Sequence, residues 1–197
     1  MERASADPRQ TVTKDGREWR IGTADDVAWI TAGTTRSNAI TAAIPPLFEA
    51  YATVTLPLDW EAEQAAHDAA LIDVLRAHAR SDSWWLGFLD TGADDIVFPH
   101  APKATLWFEW PYVLVEAGAD QAATWRHNDG IFKGSLPNLI FPADRSWLAS
   151  TLWDDWWTCV GGPAALVEDL VAHPVLAGRA RAVTVDEHAA PPGFERD

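Results

Sequence analysis

The chain has 197 residues, 48% of them hydrophobic, with 29 acidic residues against 15 Lys and Arg and a net charge of −14. That length carries one sizeable core, and the acidity argues against nucleic acid as a partner, because affinity for phosphate comes from Lys and Arg displacing counterions. Cys159 is the only cysteine, so no intramolecular disulfide can form, and no segment approaches the apolar length of a membrane span; the expectation is a cytoplasmic protein with no membrane partner.

Met1 to Gly16 is polar, has no apolar signal-peptide core and reads as a disordered leader before a domain spanning 17–188. Glu18-Trp19-Arg20-Ile21 suits a short strand. Thr23 followed by Ala24-Asp25-Asp26 predicts a capped helix that buries Val27, Trp29 and Ile30. Ile40, Ala43 and Ile44 suggest another helix, ended by Pro45-Pro46. The stretch Leu47 to Leu56 starts ambiguously and ends in strand-like β-branched alternation.

Asp59 then caps the best helix in the chain, predicted from Trp60 to Ala79, with Ala65, Ala69, Ile72 and Leu75 as its apolar stripe and Leu71 beside it. Ser83 to Leu89 reads as a central strand, turned by residues 90–95 into Ile96-Val97-Phe98-Pro99. Thr105 to Trp110 and Pro111 to Glu116 look like further strands, the first short enough to be a helical turn, and Ala119 to Trp125 a short helix. Leu139-Ile140-Phe141-Pro142 resembles Ile96 to Pro99, which raises an internal repeat against shared strand-ending chemistry.

The stretch from Asn138 to His173 reads as strand, strand, hairpin and helix. Asp154-Asp155 marks the tight turn, and Pro163 opens a helix over 163–173 with Leu166, Val167, Leu170 and Val171 on one face. Ala189 to Asp197, with Pro191-Pro192-Gly193, reads as a loose tail. The whole predicts an α+β fold in which a largely antiparallel sheet carries the long helix of residues 60–79 and the C-terminal helix.

Twelve tryptophans are the main compositional oddity. In a strand the adjacent pairs Trp84-Trp85 and Trp156-Trp157 point to opposite sides. Either both faces of the sheet are covered, or one ring of each pair is exposed as a platform for a sugar, a flat ring or a partner protein. Together with Trp153, Asp154 and Asp155, these four rings are the candidate binding residues.

The acid pairs Asp94-Asp95 and Asp154-Asp155 have the chemistry to hold a cation or to divide acid and base roles, and equally the chemistry of plain turns. Glu109 and Glu116, in apolar strands, call for partners such as Arg126, Lys133 or Arg145. Six histidines show no metal spacing, and His67 and His78 lie too far apart to share an ion. His127 with Asp129, Asp144, Arg145 and Ser146 forms the candidate acid–base cluster. Cys159, in a Trp-Thr-Cys-Val strand, reads as a buried thiol. No metal site or cofactor is indicated.

The segments Ile44 to Thr53, Trp110 to Gly118 and Phe141 to Gly162 resemble a set of uncharacterised proteins from high-GC bacteria, over about Glu18 to His173; the resemblance implies neither a site nor a substrate. Size, acidity and aromatic content are loosely similar to those of small acidic immunity proteins. The favoured expectation is a non-enzymatic protein that docks a basic protein partner, as an immunity factor or antitoxin. The alternative is an enzyme or small-ligand binder with an aromatic-walled pocket between the sheet and the long helix.

Overall fold

A computed structural model describes residues 10–92, 96–126 and 135–192. In chain order these form β1 (Thr11–Lys14), β2 (Arg17–Ile21), α1 (Ala24–Thr31), a 3₁₀ turn (Ile40–Ala42), β3 (Ala50–Thr55), α2 (Trp60–Ala77), β4 (Trp84–Leu89) and β5 (Ala104–Leu106). A second 3₁₀ turn (Trp107–Glu109) precedes β6 (Trp110–Ala117), α3 (Ala119–Thr124), β7 (Leu139–Pro142), β8 (Leu148–Ser150), β9 (Trp157–Gly162), α4 (Ala164–Ala172) and β10 (Ala180–Val183). The fold is α+β. All ten strands join one sheet in the order β1-β2-β6-β4-β7-β8-β9-β3-β10, with β5 also on β6, and every pairing is antiparallel.

Both faces of the sheet are covered, and strand alternation decides which side chain goes where. Trp84, Leu86 and Phe88 of β4 join the layer under α2, α3 and α4, with Leu71, Leu75, Leu166 and Leu170. Trp85 and Leu89 join the opposite layer, closed by α1 and the Ile40–Ala42 turn through Val27, Ile30 and Ile40. Trp84 meets Trp147 edge-on at 4.9 Å, while Trp85 stacks on Phe141 at 6.4 Å under the Arg20 guanidinium. Neither ring of the Trp84-Trp85 pair is exposed, which removes both from the proposed platform.

The chain ends of the described fold are more ordered than their composition suggests. Asp15 and Gly16 both take positive φ, at 56° and 71°, and close a two-residue hairpin between β1 and β2 with Lys14 opposite Arg17. Residues 10–16 are therefore part of the sheet rather than of a leader. At the other end Arg181 donates to the carbonyls of His188 and Ala190, and Ala189 and Ala190 are buried, so the start of the expected tail is packed.

Three other readings change. Ile96 to Pro99 forms bends and turns, not a strand, because Phe98 sits at φ 60° and turns the backbone; the repeat with Leu139 to Pro142 has no structural counterpart. The Thr105 to Trp110 stretch divides into β5 and a 3₁₀ turn in which Phe108 and Glu109 both have positive φ. On α2, Ala65 and Ala69 face solvent, and the buried stripe runs instead through Gln64, His67, Asp68, Leu71 and Leu75.

Candidate functional site

At one end of the sheet β4, β8 and β3 finish while β7 and β9 begin, which brings their adjoining loops together. Leu56, just past β3, donates its amide to the Trp156 carbonyl at 2.8 Å, and Thr151 donates its amide to the Asn138 carbonyl at 2.8 Å. Asn138 Oδ1 in turn accepts from the Leu89 amide at 3.2 Å. Asp59 starts α2 directly above, accepting from the Ala62 amide at 3.1 Å. Between the first turns of α2 and these loops lies a cavity of about 630 Å³, within the size range of small-molecule sites.

Its walls are apolar and aromatic. Leu56, Leu71, Leu89, Leu136 and Leu152 supply the aliphatic part, and Trp60, Trp153 and Trp156 the rings. Trp153 and Trp156 are 50% and 53% exposed, as rings at the mouth of an open cavity can be. Trp153 meets Trp110 edge-on at 5.8 Å, and Trp110 meets Phe108 at 5.1 Å, extending the aromatic surface outward. The loop carrying Trp153 turns at Asp154, whose φ of 64° is tolerated by Asp better than by most residues.

The buried part of the polar lining includes one face of α2. Gln64, His67, Asp68 and Leu71 recur at i, i+3, i+4 and i+7, so they stand together over the cavity. They are 6%, 0%, 8% and 1% exposed. Gln64 Nε2 donates to Asp68 Oδ1 at 2.7 Å, leaving Gln64 Oε1 and both His67 ring nitrogens without a hydrogen-bond partner among the described residues.

Burial decides the charge of this face. It lowers the His67 pKa from 6.5 to about 4, with the positive charge of Arg179 adding to the effect, so the imidazole is neutral at pH 7. It raises the Asp68 pKa from 3.8 to about 7, against the opposing pull of the Gln64 amide. Burial thus holds two adjacent titratable groups in their neutral forms beside one cavity, which makes this face a candidate functional site.

Across the cavity Arg126 donates to the Leu136 carbonyl at 3.0 Å and lies over Phe88. Thr151 and Thr158 pair their hydroxyls at 2.8 Å, and Asp154 and Asp155 line the same space.

Of the candidates read from sequence, Trp153, Asp154, Asp155 and Trp156 converge on this cavity, whereas Trp157 is buried on the opposite side of β9. His127 and Asp129, with Asp94, Asp95 and Lys133, lie outside the described residues. Asp144 and Arg145 occupy the exposed turn after β7, where Asp144 Oδ1 accepts from the Ser146 amide. Arg145 lies over Trp29 and lines a separate cavity of about 440 Å³ with Arg80 and Phe48. Asp144 and Arg145 therefore do not contribute to the cavity under α2, because the strands β7 and β8 carry their connecting turn to the other end of the sheet.

Glu116 pairs with Arg20 at 2.5 Å and accepts from Ser83 at 2.6 Å, and Glu109 is exposed. Cys159 is buried, which pushes its thiol pKa up. Sequence reading missed Gln64, His67 and Asp68; the available signal was their shared i, i+3, i+4 spacing with Leu71.

Among the described residues no helix is long and apolar enough to cross a membrane, and no group of three or more His, Cys, Asp or Glu is placed to hold a metal ion. No protein-family model, curated protein or solved structure matches the chain.

Proposed function

We propose that this chain binds a small organic molecule in the cavity between α2 and the sheet. The observation that carries the proposal is the row Gln64, His67 and Asp68, buried on the face of α2 that lines a cavity walled by three tryptophans. Burying hydrogen-bonding atoms without partners costs on the order of 1–3 kcal/mol each, and a bound molecule presenting complementary groups offsets that cost. The aromatic walls supply apolar contact area and the polar row supplies orientation. The single buried cysteine fits a reducing compartment, and a cytoplasmic site of action belongs to the proposal.

The test is a ligand-observed NMR screen of a chemically diverse fragment set against the whole protein. Hits should compete with one another and lose affinity in the Trp60→Ala plus Trp156→Ala variant. A screen without hits, or hits indifferent to that variant, would end the cavity reading.

A second reading has its own observation. Phe108, Trp153 and Trp156 are exposed, Trp110 links the first two, and Asp154 and Asp155 stand beside them. Such an acidic aromatic surface suits a basic protein partner, with the rings as anchors and the acids as steering charges, as in an immunity factor or antitoxin. A partner captured by the wild type but not by a Phe108→Ser plus Trp153→Ser variant would support it; equal capture by both would count against it.

A further inference from the structure

We propose that the ligand of this cavity is a small organic cation, an ammonium group carried on an apolar or aromatic body; the proposal rests on the cavity reading above and names the chemistry of its occupant. It follows from what the lining offers. A buried amide oxygen, Gln64 Oε1, has no donor among the described residues. The Asp68 carboxyl beside it accepts from the same side chain's Nε2, and a neutral His67 contributes one acceptor nitrogen as well as one N–H. The deep polar face is therefore richer in acceptors than in donors, which suits a group made only of N–H donors.

Charge points the same way. Asp68, Asp154 and Asp155 line the cavity, and the one guanidinium that lines it among the described residues, Arg126, is turned to the Leu136 carbonyl and the Phe88 ring. Asp68, whose pKa burial raises to about 7, is drawn into its ionised form by a cation placed beside it. The whole chain, at −14, draws cations toward it. Three indole rings supply negative π-faces, which attract a cation even where, as at Trp153 and Trp156, the ring is half exposed. An anion would meet the carboxyl groups of Asp154 and Asp155 at the mouth. A neutral polyol such as a sugar would gain from the rings and hydrogen bonds but nothing from the acids.

The experiment compares benzylamine, benzyl alcohol and benzoate, which share a ring and differ in charge, by titration calorimetry at pH 7 and low ionic strength. The expected order is benzylamine first, ahead of benzyl alcohol by about tenfold or more, as one desolvated charge contact supplies, with benzoate weakest. Asp68→Asn, which keeps the size and an acceptor oxygen, should cut the ratio of benzylamine to benzyl alcohol affinity to about threefold or less. Asp155→Asn at the mouth provides a second variant away from the helix and should reduce the advantage by a smaller factor.

Equal or tighter binding of benzyl alcohol or benzoate overturns the inference and leaves the cavity reading standing. So does a benzylamine advantage that survives both substitutions, or benzylamine failing to bind at millimolar concentration while neutral fragments occupy the cavity. If no fragment of any charge binds, the cavity reading falls and takes the inference with it.

Discussion

Replacing His67 and Asp68 one at a time should reveal two pH dependences that hide each other in the wild type. Folded, Asp68 holds its proton up to about pH 7 and His67 has lost its proton above about pH 4. Unfolded, the ordinary values of 3.8 and 6.5 apply, so the proton sits on the histidine instead. Between about pH 4.5 and 6 each state carries one proton on this pair, and the pair contributes no slope to stability.

In His67→Gln only Asp68 remains. Its folded pKa is raised, so its contribution, about 4 kcal/mol in all, is fully present below the unfolded value and is lost as pH rises through the folded value; in the window where the wild-type pair is level, stability should fall by about 1.4 kcal/mol per pH unit. In Asp68→Asn only His67 remains. Its folded pKa is depressed, so stability is present above 6.5 and is lost as pH falls toward about 4, a slope of similar size and opposite sign totalling about 3 kcal/mol. Urea unfolding of the three proteins across this window, followed by circular dichroism, measures the slopes. Parallel curves would refute the reasoning, since groups elsewhere contribute equally to all three.

Three further perturbations address the scaffold. Trp157→Ala should cost on the order of 3–5 kcal/mol as a core truncation, while Trp156→Ala should cost under about 1 kcal/mol, as surface substitutions usually do, but weaken ligand binding; denaturant midpoints and a ligand titration separate the two. Gly87→Ala, on central β4, would place a methyl 2.8 Å from Leu139 Cβ, and a loss of about 1–3 kcal/mol is expected from overpacking; an unchanged melting temperature would show that β7 yields. Asp59→Ala should remove about 1 kcal/mol by uncapping α2, measurable by thermal unfolding, and should loosen the turn that carries Trp60.

Local chemistry made much of this fold legible. Asp59 before an Ala- and Glu-rich run marks the start of α2, and the alternation in Trp84 to Leu89 sends its two rings to opposite faces. That both faces are covered could not be read locally, because α1 and the Ile40–Ala42 turn close the second face from far away in the chain. Asp15-Gly16 is a hairpin signal that polar flanks disguised as a leader.

The site was half visible. Trp153 to Trp156 stood out by residue type. Gln64, His67 and Asp68 did not, since a search for an apolar stripe reads polar residues as the solvent side, and here part of the buried side faces a cavity.

The most direct test of the central claim follows the indole N–H signals of all twelve tryptophans in ¹⁵N-edited NMR spectra during a benzylamine titration. The account predicts saturable shifts at Trp60, Trp153 and Trp156, with the core rings Trp84, Trp85 and Trp147 unmoved and the response lost in Asp68→Asn. Shifts confined to other rings, or a response that Asp68→Asn leaves intact, would contradict it.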